Sequence, residues 1–509
     1  MNIVIRADAS NYIGSGHIMR CLVLAANLIK KGHQVSFASR PQQGDLIDFV
    51  RQKEFEVKEL ICPYKWKTPK DSADYAAWLQ VSWQEDADSL IKQCERIDLI
   101  IVDHYGLNIE WELYIKKHLS CKIFAIDDLV REHHAEVILD QTLLRNVSEY
   151  KHLTADQVIL AGCHFALLNP YFSYYRSTAL LSKDLPLQPR VLISMGGIDQ
   201  PNATLQSLEA LALITINKPF VTVLLSSRAP HYKSVINFCT RNNNWVKHIN
   251  FVDNMAELML DHDIAIGAPG TTSWERACLG LPSLIIPLAD NQKTISERLV
   301  KVGAAIQIPL NTIKADLLTS YSLLLKQWDE MKSINLSLCD GLGLFRVIDY
   351  IENINSNLSN SVILKPATEL NIQQVFDWQL LPETRKYALT KETPTWETHE
   401  QWMKAKLKKH EDYFYIIESL HLGLNIGVLR LDKRDDQPYL LSLFIDPNYF
   451  GQGYAKKALK SIDSLHPNID IQAVVLTENI ASQRLFTSAK YEQVAVDTFI
   501  RSSLQREKI

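Results

Sequence analysis

Paired cysteines are missing from this chain. Its eight, Cys21, Cys62, Cys94, Cys121, Cys163, Cys239, Cys278 and Cys339, stand singly. Without a C-x-x-C pair, neither a structural zinc site nor a dithiol redox centre has support, and no metal is expected. Long apolar runs are missing too, since none approaches the ~18 residues that a membrane span needs. The amino terminus enters the strand-like MNIVIR with no basic segment ahead of an apolar one. No secretory signal is read there, and a cytoplasmic location without membrane contact is expected. Blocks of Lys and Arg are absent as well. At a formal net charge of −4, the chain lacks the concentrated basic face of a nucleic-acid binder.

What is present is the balance of a globular protein, 47% hydrophobic and 22% charged over 509 residues. That length predicts about three compact units. The first third alternates apolar runs (NIVIR, HQVSFAS, DLIIVDH, CKIFAIDD) with helical segments, the rhythm of right-handed βαβ units around a parallel sheet. A second series begins at Arg190 with RVLISMGG, FVTVLLSS, WVKHINF, DIAIGAPG and LPSLIIPL. Two doubly wound α/β lobes, at 1–170 and 171–351, account for both series. The polar ENINSNLSNS, 352–361, reads as a linker. Helices followed by strands over 362–509 predict an α+β domain. No internal repeat beyond the likeness of the two lobes is seen.

Ligands of doubly wound sheets gather at the carboxyl ends of the strands. There RADASNYIGSGHIMRC, residues 6–21, sets Gly14 and Gly16 in a turn and His17 at the start of a helix. A helix start suits an anion, although a lone turn of this kind is more often a plain tight connection. ISMGGIDQPNAT, 193–204, repeats the device with Gly196 and Gly197. In AIGAPGTTSWERACLGLPSLIIPLADNQ, 265–292, Thr272 and Glu275 have Thr-x-x-Glu spacing. Two readings stand: a capping box, or a carboxylate that accepts hydrogen bonds from both ribose hydroxyls. Asp103 and His104, at a strand end, are read as strand-end capping groups.

These motifs, with IIVDHYGL, AIDDL and DGLGLFRV, resemble the UDP-2,4-diacetamido-2,4,6-trideoxy-β-L-altropyranose hydrolases of pseudaminic acid biosynthesis over the first 350 or so residues. The resemblance implies a two-lobed glycosyltransferase-B-like fold. It makes His17 the group that directs water at the anomeric carbon. It places Gly14, Gly16, Arg20, Gly196, Gly197, Thr272 and Glu275 against the nucleotide sugar, with Glu275 on the ribose. Asn291 and Gln292 would face the diphosphate or the sugar. Asn169 stands where the family often has arginine, so one charged contact to the substrate is missing or supplied elsewhere.

In the last domain, SLFIDPNYFGQGYAKKALKSID, 442–463, and VVLTENIASQRLFTSAKYEQV, 474–494, resemble the GCN5-related N-acetyltransferases (GNAT). The resemblance implies acetyl-CoA as co-substrate. Gly451, Gly453 and Ala455 would lie at its pyrophosphate, Phe444 and Ile445 beside the pantetheine strand, and Asn479 would help hold it. Phe450 replaces the usual Gln or Arg of the loop. Phe486 replaces a tyrosine acid, whose part falls to Tyr491 or water. His399 and Trp402 are read as surface packing. The two resemblances together imply one bifunctional enzyme that acetylates the 4-amino group of a UDP-linked sugar and then hydrolyses it. The alternatives are a UDP-sugar glycosyltransferase and an acetyl-CoA-sensing, non-catalytic last domain. The oligomeric state is left open.

Overall fold

The computed structural model describes residues 1–71, 73–153, 157–181, 184–354 and 361–504. Most of the expected linker therefore lies outside the described residues. Two compact units are present, Met1–Leu344 and Phe345–Ile509. The helix Gly343–Asn353 opens at their border.

The first unit holds two parallel sheets, as the alternating apolar runs predict. One comprises β1 (Asn2–Ala7), β2 (Gln34–Ser39), β3 (Glu56–Glu59), β4 (Leu99–Asp103), β5 (Lys122–Ile126), β6 (Val137–Asp140) and β7 (Val158–Ala161). Its strand order is β3-β2-β1-β4-β5-β6-β7. The other comprises β8 (Arg190–Ser194), β9 (Phe220–Leu224), β10 (Val246–Ile249), β11 (Ile264–Gly267), β12 (Ser283–Ile285) and β13 (Ala305–Gln307), in the order β10-β9-β8-β11-β12-β13. Helices cover both faces, which is why these strands read as continuous apolar runs. In the second sheet Val191 and Ile193 pack into one core with Leu208 and Leu211, while Leu192 packs into another with Trp274 and Ala277. Each sheet reverses direction once, between β1 and β4 and between β8 and β11. Those reversals open the crevices where doubly wound sheets take ligands.

The second unit is the expected α+β domain. Its strands are β14 (Val362–Pro366), β15 (Tyr413–Ser419), β16 (Leu424–Arg434), β17 (Gln437–Ile445), β18 (Ile471–Val474), β19 (Glu492–Ala495) and β20 (Thr498–Arg501). They lie in the order β14-β15-β16-β17-β18-β20-β19. β14 to β17 are antiparallel neighbours, and β17 turns parallel to β18 over Tyr439–Leu441 only. β17 runs on to Ile445 without that partner, so the two strands part.

No described helix is long and apolar enough to cross a membrane. The eight cysteines are unbridged, and only Cys62 among them is exposed.

Candidate active site

At the first reversal, register brings distant residues together. Ala7 of β1 lies opposite Asp103, the last residue of β4. The turn after β1 leads into the helix Gly16–Lys30, whose buried face carries Ile18, Cys21, Leu22, Leu24, Ala25 and Leu28. His17 and Arg20 stand three residues apart on that same face, so both side chains reach the end of β4. His17 Nδ1 lies 2.6 Å from Asp103 Oδ1. Arg20 donates to the same carboxylate from Nε (2.6 Å) and Nη2 (2.7 Å). Arg20 Nη1 donates to Asp128 Oδ2 at 3.0 Å, and the Tyr105 hydroxyl donates to that oxygen at 3.0 Å.

Asp103 is fully buried. Burial alone would raise its carboxyl, but the charge of Arg20, with the hydrogen bonds from Arg20 and His17, holds it well below the usual carboxylate range. It is therefore an anion and can only accept, so Nδ1 of His17 carries the proton. Nε2 is left as the basic nitrogen, with no partner among the described residues. The strand-end reading of Asp103 is thus corrected: both its oxygens are spent on His17 and Arg20, because β1 and the helix lie directly against its strand. His104 does serve its strand end, accepting from Gly106 N at 3.0 Å. Arg20, expected to meet the substrate, is 7% exposed and committed to two aspartates. It acts from behind His17.

Three aromatic rings wall the histidine. Tyr105 meets it edge-on at 4.8 Å between centroids and Trp78 at 6.4 Å, and Tyr75 packs on both of them. Burial raises the Tyr75 hydroxyl; Arg131 opposes this, while Asp127 and Asp290 reinforce it. Asp290 follows β12 of the second lobe. A Cβ built on Gly197 would lie 3.7 Å from Ser15 Oγ, so the glycine turns of the two lobes oppose each other. Around Gly14, Gly16 and Gly196 there is open space at the Cβ position.

At the second reversal the two helix starts differ. The Asp199 carboxylate accepts from Ala203 N and Thr204 N, both at 2.9 Å, and so fills the start of helix Ala203–Ala212 from within its own loop. The helix Thr271–Cys278 has Gly270 at its cap, with no side chain over it. The Thr272–Glu275 capping box is not formed. Thr272 already lies inside the helix, and Gly270 N donates to Ser273 Oγ instead, at 3.2 Å. Glu275 Oε2 is left buried without a hydrogen-bond partner. Burial pushes its carboxyl up to about 7 against the lowering charge of Arg276. An orphaned carboxylate at this price in desolvation fits a ligand that brings hydroxyl donors.

Other expected contacts are occupied locally. Asn169 Oδ1 accepts from Tyr171 N at 3.0 Å, capping the helix Pro170–Ala179. Gln292 Oε1 accepts from Leu288 N at 2.8 Å. The side chain of Asn291 lies outside the described residues.

In the second unit, Gly451 and Gly453 have φ of 74° and 83°. Gly453 caps the helix Tyr454–Leu465 with no side chain over that helix start. Ala455 sits in its first turn, and Phe444 and Ile445 lie on β17 beyond its pairing with β18. A parted strand beside an uncapped helix start fits an extended diphosphate-bearing co-substrate. Asn479 Oδ1 caps its helix by accepting from Ser482 N at 3.1 Å. Tyr491 is 4% exposed and packs edge-on against Phe486. His399 is not on the surface. It is 2% exposed, within hydrogen-bond reach of Ile372 O and packed against Phe376 and Trp402.

Residues 199–333 match the glycosyltransferase family 28 C-terminal domain, and residues 361–492 match the acetyltransferase (GNAT) domain. The UDP-2,4-diacetamido-2,4,6-trideoxy-beta-L-altropyranose hydrolase of Campylobacter jejuni is 28% identical over 60% of this chain and 99% of its own. An uncharacterized protein of Methanocaldococcus jannaschii is 22% identical over 97% of both chains. Among solved structures, MurG of Acinetobacter baumannii aligns over 69% of this chain and 99% of its own, with a TM-score of 0.47 and 15% identity. In its N-terminal region, then, this chain resembles a UDP-diacetamido-trideoxy-altropyranose hydrolase, and in its C-terminal region it carries a GNAT acetyltransferase domain, the make-up of a fusion of the two.

Proposed function

We propose that this chain acetylates the 4-amino group of a UDP-linked 2-acetamido-4-amino-2,4,6-trideoxy-altrose and hydrolyses the product to the free sugar and UDP. The observation that carries the hydrolytic half is His17, with Nδ1 fixed on Asp103 and Nε2 open, beside a glycine turn that opposes the Gly196–Gly197 turn of the second lobe. Water held at Nε2 attacks the anomeric carbon. The new C–O bond forms as the bond to the diphosphate breaks, UDP leaves with the electron pair, and the water proton passes to Nε2. Asp103 then faces an imidazolium, which it stabilises as it already orients the neutral ring. The Gly196–Gly197 turn and the open helix start at Thr271 stabilise charge on the departing diphosphate.

Acetyl-CoA, bound along β17 and at Gly451–Gly453, supplies the acyl group. The protein's part is to hold the thioester where the two strands separate and to present the sugar amine to it.

A mass-resolved assay with the 4-amino sugar nucleotide tests the reading. With acetyl-CoA, the sugar is expected to gain one acetyl group before free UDP appears. UDP appearing without acetylation would overturn the order, and acetylated sugar that keeps its UDP would overturn the hydrolase. The family 28 match favours a second reading, a glycosyltransferase, and UDP release in the absence of any acceptor excludes it.

Ribose binding by Glu275 has a pH signature. The hydroxyls donate, so they select the ionised carboxylate, and the free group sits at about 7. Sugar-nucleotide affinity in a His17→Gln background is expected to rise about tenfold per pH unit below 7 and to level above 8. Glu275→Gln should bind more weakly and lose the slope. Titration calorimetry from pH 5.5 to 8.5 decides it, and an unchanged slope removes Glu275 from the ribose.

A further inference from the structure

Trp78 is a buried ring with an unanswered donor. It is 4% exposed, and its Nε1–H has no hydrogen-bond partner among the described residues. Its backbone is held in place by hydrogen bonds. It ends the short helix Tyr75–Trp78, capped by Asp74, which accepts from Ala77 N at 3.2 Å, and its own carbonyl accepts from Gln42 Nε2. On one side the indole stacks on Tyr105 at 6.0 Å, on another it meets Tyr75 at 4.8 Å, and its ring centre is 6.4 Å from that of His17. These neighbours meet the indole with ring faces or edges, and none of their acceptor atoms lies within hydrogen-bond reach of the N–H. Indole N–H groups are donors only, and an unpaired buried donor is costly. A structure that keeps one beside its reacting histidine has a use for it.

We propose that Trp78 recognises an N-acetyl group of the hexose, its indole N–H donating to the acetamido carbonyl while the methyl packs against the aromatic wall. This rests on the hydrolase reading above. The chemistry follows from the site itself. A lone donor set among rings matches a ligand group with one strong acceptor and an apolar remainder, which an acetamide is. A protonated amine is neither, since it brings only donors to a donor. Tyr75, half-buried and edge-on to the indole, is the most exposed of the three rings. Trp78 is thus a residue that positions the sugar by an acetamido group and takes no part in bond making.

The indole N–H reports on this directly. In a His17→Gln background, where turnover is suppressed, a ¹⁵N–¹H spectrum resolves indole signals from the ten tryptophans. The signal missing from the same protein carrying Trp78→Phe identifies Trp78. It is expected to move on adding the diacetamido sugar nucleotide and to stay in place with UDP alone. A shift with the 4-amino precursor as well assigns the 2-acetamido group, and a shift with the diacetamido compound alone assigns the 4-acetamido group. Either supports the proposal. Trp78→Phe should also weaken sugar-nucleotide binding about tenfold and leave UDP binding unchanged. Binding of both sugar nucleotides with a stationary Trp78 signal, or an equal shift with UDP, overturns the Trp78 assignment and leaves the hydrolase reading intact. If UDP binds and neither sugar nucleotide does, both are overturned.

Discussion

His17→Ala is expected to lower UDP release from the diacetamido sugar nucleotide by on the order of 10²–10⁴-fold, the usual range for loss of a general base. Acetyl transfer by the same preparation should be unchanged. The contrast matters because the two activities belong to different compact units, so a general failure to fold would reduce both. UDP affinity gives a second control, since the nucleotide contacts proposed here lie on the second lobe. Asp103→Asn carries the argument one step back. Its amide can donate as well as accept, so it no longer enforces a proton on Nδ1, and it leaves Arg20 with half its counter-charge. Hydrolysis is expected to fall by at least about 10²-fold with UDP affinity preserved. Near-normal turnover in His17→Ala would remove the histidine from the chemistry. Near-normal turnover in Asp103→Asn alone would leave the base in place and show that its tautomer is set by something else.

Much of this arrangement can be seen in the linear sequence, and what cannot has a physical pattern. Parallel strands buried on both faces must be apolar throughout, so the runs around residues 2–6, 98–104, 190–197 and 263–270 announce the two sheets. Glycine turns after such strands mark the crevices. His17 shows itself because it is the unusual residue in such a turn. Asp103 does not, because its partnership depends on the register of β1 against β4 across nearly a hundred residues. A lone aspartate at a strand end looks the same whether it caps or holds a histidine. Trp78 and Tyr75 lie in a helix of four residues, too short to leave a periodicity. The Thr-x-x-Glu spacing at 272–275 misleads for a related reason. The box needs its threonine at the cap, and here the cap is Gly270, two residues earlier, with the helix beginning at Thr271. That shift frees the Glu275 carboxyl. Asp199 is the opposite case: its loop resembles a phosphate cradle in sequence, yet its own carboxylate already fills the helix start.

In the acetyltransferase half, the largest effect is expected from Gly453. Its φ of 83° lies in the region that disfavours side chains, and a β-branched residue is strained there by about 1–3 kcal/mol. The loop can relieve that strain only by turning, which moves the uncapped first turn of helix Tyr454–Leu465 away from the pyrophosphate. At a factor of ten per 1.36 kcal/mol, kcat/KM for acetyl-CoA in Gly453→Val should fall by on the order of 10–100-fold. KM should carry most of the change if the acetyl end of the co-substrate reaches along β17 as proposed. UDP release from pre-acetylated substrate should not change. Gly423 provides the matched control. Its φ of 61° places the same strain in the turn between β15 and β16, outside the 451–453 backbone although joined to the following helix by the Ser419–Tyr454 hydroxyl hydrogen bond. Gly423→Val should therefore lower the melting temperature without selectively raising KM for acetyl-CoA. If both variants raise that KM alike, the effect belongs to the stability of the sheet, and the glycine loop loses its assignment to the pyrophosphate.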